Sequence, residues 1–298
     1  MKDGISVVIN TLNEEKNLPR TLSSIKELAS EIIVVDMHST DNTVAVAKES
    51  GARVYTHEPT GYVEPARNFA VSKATGPWIL VLDADEEIPD SLAKQLKKLA
   101  TKPNADFYRL PRKNIIFGQW TRHSRWWPDY QIRFFKKGSV LWSEIIHSVP
   151  ETHGVGWDLP AQERFAIVHY NYQTISQYLE RMNRYSGVQA ETKIRDGYKF
   201  NWRDLISKPT SEFVSRFLAG EGYKDGVHGL ALSLLQAFSE LVLYLKVWET
   251  EKFKVTTLDV SEVENTLTDA EGELDHWLVA KRMRRPTVFH KLLRRLTR

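Results

Sequence analysis

Two aspartates separated by one residue, Asp83 and Asp85 in Leu82-Asp83-Ala84-Asp85-Glu86, follow a short apolar run at residues 78–82. Carboxylates so spaced at a strand end can face one hard divalent cation, which takes oxygen ligands and still binds phosphate oxygens. The plain alternative is a solvated acidic turn before the helix that Pro89 opens. The surroundings favour chemistry. Asp36 ends another run, Val34-Val35-Asp36-Met37-His38-Ser39-Thr40-Asp41, where an acid can accept a hydrogen bond from a base or a ribose. Asp41 reads better as a helix N-cap. The first run ends in Asn10-Thr11-Leu12-Asn13-Glu14-Glu15, and Arg67-Asn68 offers a cation and an amide to a diphosphate.

Such clusters need a scaffold that brings them together. Runs at 5–9, 32–35, 53–55 and 78–82 read as strands. Between them lie helical spacings: Leu18, Leu22, Ile25 and Leu28; Val44, Ala47 and Lys48; Ala66, Phe69, Ala70 and Lys73. Gly51 and Gly76 sit where left-handed helix caps are expected. The alternation implies right-handed crossovers and an α/β fold, a doubly wound mixed sheet with helices on both faces. Ligands bind such sheets at the carboxyl ends of the strands, where all the polar clusters fall. From 106 to about 172 short strands (107–110, 131–135, 166–170) alternate with loops rich in Gly, Pro and Trp. Thr174 and Gln177 form a capping box for the next helix. A long apolar helix over 229–248 carries Gln236, Glu240 and Lys246, which make it too polar to span a bilayer. Residues 251–298 form a helical appendix, read as an amphipathic helix folded back on the body.

The chain has 298 residues and a net charge of +3. Of its 41 Lys and Arg, eight lie in 281–298, which holds no acid, so the other 33 face 38 acids and the body is acidic at −5. That argues against a nucleic-acid-binding body. Zero cysteines exclude disulfides, thiolate zinc sites and a cysteine nucleophile, and fit a cytoplasmic protein. The N-terminus runs straight into a strand, which leaves no room for a signal peptide.

Five motifs together carry a resemblance: Thr11-Leu12-Asn13-Glu14-Glu15, the Asp36–Ser39–Thr40–Asp41–Thr43 pattern, Ala66-Arg67-Asn68, Thr75-Gly76 and Leu82-Asp83-Ala84-Asp85-Glu86. In order and spacing they resemble the family 2 glycosyltransferases of GT-A fold. Arg112-Lys113-Asn114, Trp127-Pro128-Asp129-Tyr130-Gln131-Ile132-Arg133-Phe134-Phe135 and the segment from Tyr178 to Ser186 resemble the branch of bacterial lipopolysaccharide-core β-1,4-glucosyltransferases. The resemblance covers roughly residues 4–250, in a domain at 1–250 with a nucleotide-binding half (1–105) and an acceptor half (106–250). It implies that Thr11, Asn13, Glu14, Asp36 and Ser39 hold the nucleotide sugar. Arg67 and Asn68 then face the diphosphate, and Asp83 and Asp85 engage Mn²⁺ or Mg²⁺. It also implies inversion at the sugar carbon, assisted by a general base.

The branch carries a His-Glu pair after the Arg-Phe-Phe strand, whereas this chain reads Ser143-Glu144-Ile145-Ile146-His147-Ser148. The candidates for the base are therefore Glu144, Asp129 and His147, with Glu144 leading. His169 is read as a packed strand residue. The implied reaction is transfer of a hexose, glucose from a UDP donor, to a saccharide of a cell-envelope glycan. The acceptor is lipid-linked in the resembling branch. The tail at 288–298 has Phe289, Leu292, Leu293 and Leu296 on one side among cations, and is expected to rest on the inner face of the cytoplasmic membrane. A polyprenyl-phosphate glycosyl synthase and a non-catalytic nucleotide-binding module are the rival readings.

Overall fold

The computed structural model describes residues 4–58, 64–142 and 150–281. The chain divides into two compact units, Met1–Ile115 with Trp127–Asn171, and Ile116–Trp126 with Tyr172–Arg298.

The first unit opens as the hydrophobic pattern predicts: β1 (Ile5–Thr11), α1 (Leu18–Ile25), β2 (Glu31–Asp36), α2 (Thr43–Glu49), β3 (Arg53–Thr56), α3 (Glu64–Lys73), β4 (Trp78–Asp83), β5 (Glu86–Glu87) and α4 (Asp90–Thr101). β6 (Phe107–Ile116) follows, with a short β7 (Gln119–Trp120) beyond it. β8 (Tyr130–Lys136), β9 (Val140–Leu141), β10 (Glu151–Thr152), β11 (Gly156–Asp158) and β12 (Ile167–Tyr172) complete the strands. The main sheet runs β3-β2-β1-β4-β8-β6-β12-β5. Its first four strands are parallel, and β8 joins β4 antiparallel, giving the mixed sheet.

Two apolar layers hold the sheet. Val7 and Ile9 of β1 pack with Leu18, Leu22 and Ile25 of α1 and Leu92 and Leu96 of α4. Val8, pointing the other way, packs with Ala70 of α3 and with Ile79 and Val81 of β4. That period-two division makes β1 fully buried. Each large apolar side chain so buried contributes roughly 1.5–3 kcal/mol.

Gly51 has φ +78°, the left-handed cap expected of it. Gly76 does not, and its reason is close approach: a Cβ there would lie 2.6 Å from Ser6 Oγ and 2.9 Å from the Gly4 carbonyl oxygen. The Ser6 hydroxyl instead accepts the Gly76 N–H at 2.8 Å.

The second unit is helical: α5 (Ile175–Arg195), α6 (Asp204–Phe213), a π-helical turn (Val214–Ala219), a 3-10 turn (Gly222–Asp225), α7 (Gly226–Thr250) and α8 (Val260–Ala280). Thr174 caps α5 by accepting the Gln177 N–H at 3.1 Å, and the Gln177 side chain accepts the Gln173 N–H at 2.8 Å. Segment 116–126 belongs to this unit because Asp225 draws it in. Its carboxylate accepts the N–H groups of Arg122 (3.1 Å) and His123 (2.9 Å) and lies 2.7 Å from His123 Nδ1. A Cβ on Gly229 would come within 1.8 Å of the Gly222 carbonyl oxygen, so only glycine lets α7 start there.

By length and composition α7 could cross a membrane, with a mean hydropathy of 1.5, contrary to the expectation drawn from its polar interruptions. Those interruptions lie on its packed side. Gln236 donates to Tyr178 Oη at 2.8 Å and Lys246 reaches the Asn183 side chain at 2.8 Å. Leu243, Tyr244 and Val247 pack on Ala190 of α5. α8 lies against α6, where Ser211 donates to Glu273 at 3.0 Å.

Candidate functional site

Backbone register brings the strand-end residues of the first unit together. Thr11 is the register partner of Asp36, and Asn10 of Asp83. The Thr11 hydroxyl donates to Asp36 Oδ1 (3.3 Å), and the Ser39 N–H donates to Oδ2 (3.0 Å). Asn13, at φ +57°, donates its N–H to Ser39 Oγ (2.8 Å) and accepts the Thr40 N–H (2.8 Å). The Glu14 N–H donates to Thr43 Oγ1 at 2.8 Å, and its carboxylate accepts from Asn17 at 2.8 Å. Asn13 and Glu14 therefore stitch the loops after β1 and β2 together. Asp41, expected to be the N-cap, stands one residue before it: Asn42 is the N-cap of α2, and Asp41 accepts the Thr43 N–H at 3.0 Å from outside the helix.

Asp83 sits between two guanidinium groups. Arg133 Nη2 lies 2.5 Å from Oδ2, and Arg67 Nη2 lies 2.9 Å from Oδ1. Burial alone would push this carboxyl up, but Arg133 and Arg67 outweigh it and hold it well below the usual carboxylate range. Arg133, 3 % exposed, also donates to the fully buried Glu86 at 2.8 Å. Glu86 in turn accepts the Asp83 N–H at 2.9 Å and faces Arg112 at 3.4 Å. Arg112 pairs with Asp129 at 2.7 Å. The result is a ladder of alternating charge: Arg67, Asp83, Arg133, Glu86, Arg112, Asp129.

Asp85 stands beside this ladder and faces His169. β12 pairs antiparallel with β5, placing His169 opposite Glu86, and the Tyr170 N–H donates to the Asp85 carbonyl at 3.0 Å. His169 Nε2 then lies 3.5 Å from Asp85 Oδ2. Its tautomer follows from its other side. Asn114 Nδ2 donates to Asp129 Oδ2 at 3.0 Å, which turns Asn114 Oδ1 toward His169 Nδ1 at 2.6 Å. Nδ1 therefore carries a proton, and Nε2 faces a carboxylate oxygen, to which it donates as imidazolium or beside which it can ligate a cation as neutral imidazole. The Asn114 bond orients the ring in either form.

Asp129, at φ +30°, accepts from Arg112, Asn114 and Gln131. Burial raises its pKa, but Arg112 and the two amides outweigh that and lower it. A carboxylate so held is a weak base. Glu144 and His147, the other base candidates, lie outside the described residues. Asn68 does not join the cluster. Its amide donates to the Trp142 carbonyl (2.6 Å) and accepts the Trp142 N–H (3.0 Å). Among the described residues no group of three or more His, Asp or Glu is arranged to hold a metal.

Two residues gain an individual place in the site only from the fold. His169 is a buried residue of β12, as expected, and its contact with Asp85 comes from the β5–β12 pairing between segments distant in sequence. Asn10 is buried, and both polar atoms of its amide lack a partner among the described residues. It stands beside Asp83 in register, and Arg67 Nε nearby in the chain's charge ladder is likewise buried without a partner. Leaving such groups unmet costs about 1–3 kcal/mol each, which a bound ligand would recover. An amide closing an otherwise apolar strand was the available clue.

Comparison with known proteins adds the following. A family described as Glycosyl transferase family 2 matches residues 6–155. An uncharacterised glycosyltransferase of Rickettsia typhi is 30% identical over 254 residues, 82% of this chain and 87% of the relative. The lipopolysaccharide core biosynthesis glycosyltransferase LpsC of Rhizobium meliloti is 23% identical over 259 residues, 84% of this chain and 94% of LpsC. Among solved structures, glucosyl-3-phosphoglycerate synthase of Mycobacterium tuberculosis with Mn²⁺, UDP and glucosyl-3-phosphoglycerate is 28% identical, with a TM-score of 0.30. That match covers 36% of this chain and 43% of the synthase.

Proposed function

The chain belongs to glycosyltransferase family 2, and from that membership we propose that it transfers a hexose, glucose from a UDP-linked donor, with inversion to a saccharide of a cell-envelope glycan such as lipopolysaccharide core. The acceptor class draws support from the likeness to LpsC over most of both chains. The observation that carries the donor reading is the convergence of Thr11, Asp36, Asn10 and Asp83 at adjacent strand ends.

In this reading Asp36 accepts a hydrogen bond from the uracil or ribose, while the bonds within Asn13, Glu14 and Ser39 keep that end of the crevice in shape. Arg67, tethered to Asp83 at 2.9 Å, has a buried Nε to offer a diphosphate oxygen. Asn10 offers its amide to the same region. Asp85 and His169 fit a divalent cation, Mn²⁺ or Mg²⁺. Asp83 is the weaker ligand of the two aspartates, because two arginines already occupy its oxygens. When bound, the cation neutralises charge developing on the departing diphosphate. Glu144 takes the proton from the acceptor hydroxyl, since Asp129 is fully engaged. The basic segment 282–298 holds the enzyme on the inner face of the cytoplasmic membrane.

The test is UDP release from UDP-glucose with Mn²⁺, with and without a lipopolysaccharide-core acceptor. Acceptor-stimulated release with a β-linked product supports the reading. Release from no nucleotide sugar, with no thermal stabilisation by any of them, would sink it.

A further inference from the structure

α7 carries a second surface, away from its packed side. Val227, Leu230, Leu234 and Phe238 are exposed, Val227 at 79 % and Leu234 at 52 %. Their spacing of three and four residues continues through the half-exposed Leu241 and Leu245, a single stripe about five turns long. No charged side chain interrupts it from Val227 to Leu245. Glu240 lies on the other side of the helix, near Lys193, Lys208 and Arg216.

The chain's cationic end leaves from the same place. Lys281, the last described residue, pairs with Glu221 at 3.1 Å, immediately before the turn that leads into α7. The seventeen residues beyond it contain seven Lys or Arg and no acid. The stripe offers these cations no carboxylate, so it does not suit them as a resting place. An anionic bilayer surface takes both, the apolar stripe into the headgroup boundary and the cations onto lipid phosphates.

We propose that the α7 stripe is the membrane-seating surface of this protein and lies in the plane of an anionic bilayer. Lying flat, rather than crossing, follows from the opposite face of α7, whose Gln236 and Lys246 are bonded to α5. This deepens the membrane contact proposed above by assigning it to a folded surface, and it does not depend on the identity of the sugar.

The experiment is co-sedimentation of the full chain with phosphatidylcholine vesicles containing roughly a third phosphatidylglycerol. The Leu234→Glu/Phe238→Glu pair, both exposed positions, should lower vesicle partitioning at least about tenfold with unchanged circular dichroism and UDP binding. Removal of 282–298 should weaken binding in a salt-sensitive way and leave a salt-resistant part that the stripe supplies. Full binding by the double variant together with complete loss on truncation would overturn the proposal in favour of the tail alone. Tighter binding after truncation would overturn it in favour of a tail that covers the stripe. A wild-type dimer that the double variant makes monomeric, with no vesicle binding, would assign the stripe to a second copy. Donor binding is read separately, so failure here leaves the transfer reading standing.

Discussion

His169 turns Nε2 toward the Asp85 carboxylate across 3.5 Å, held there by the Asn114 amide on its other side. If a cation sits between them, Asn114 tunes it without touching it. Asn114→Leu should raise the Mn²⁺ concentration needed for half-maximal stabilisation of the UDP complex by about 10–100-fold. His169→Ala should do at least as much. Thermal-shift titration with Mn²⁺ at fixed UDP reads both, and an unchanged midpoint in His169→Ala would remove this residue from the site.

Arg133 is buried between Asp83 and Glu86. Arg133→Met removes the buried cation that Asp83 and Glu86 share, and urea unfolding should show a loss of about 3–5 kcal/mol. A loss below about 1 kcal/mol would mean that the ladder is not the support described here.

Glu144→Gln should lower turnover by about two to four orders of magnitude with UDP affinity unchanged. Asp129→Asn should act differently, by loosening Asn114 and so weakening Mn²⁺ binding. Should Asp129→Asn abolish transfer at saturating Mn²⁺ while Glu144→Gln retains it, the roles are reversed.

Asp36→Ala should weaken UDP binding by about 1–3 kcal/mol, the worth of one hydrogen bond to a charged group. Asn68→Ala should lower the melting temperature, because the Trp142 backbone loses both partners. Calorimetric UDP affinity should move only in the first variant. A matching loss in Asn68→Ala would return that residue to the diphosphate.

Glu31 latches β2 to the turn before β4. It accepts from Ser6 (2.5 Å), from the Thr75 hydroxyl (2.8 Å) and from the Thr75 N–H (2.5 Å). Burial pushes its carboxyl up, but these donors outweigh it and the pKa is lowered. A lowered folded pKa means the stabilisation is present above the ordinary glutamate range and is lost as pH falls through the folded value. Glu31→Gln should therefore cost about 1–2 kcal/mol at pH 7 and less at a pH below the ordinary glutamate range. Urea midpoints at the two pH values decide it, and an equal cost at both would contradict the latch.

The donor side of the site was legible because local signals encode it. Each strand of the parallel half announces itself by an apolar run, and three of the four runs end in a polar cluster, so Asp36 and Asp83 could be named from their places at strand ends. Asn68 looked equivalent to Arg67 in sequence, yet neighbours on a helix point different ways, and only the fold reveals Trp142 beneath it. The Arg133–Glu86 pair and the Asp85–His169 contact depend on strand pairings distant in sequence. Segment 116–126 likewise joins the helical unit through Asp225, which no periodicity signals.

β1 is hydrogen-bonded along its whole length between β2 and β4, with Thr11 opposite Asp36 and Asn10 opposite Asp83. The spacing of the donor-side groups is thus a property of backbone pairing, near 4.8 Å from strand to strand, and not of any side chain. One residue inserted into β1 would turn Asn10 and Thr11 to opposite layers and drive Val7, Val8 and Ile9 into the wrong cores. New donor preferences are therefore accessible to this scaffold by exchanging side chains at fixed positions, whereas changes of chain length are confined to the loops beyond the strand ends.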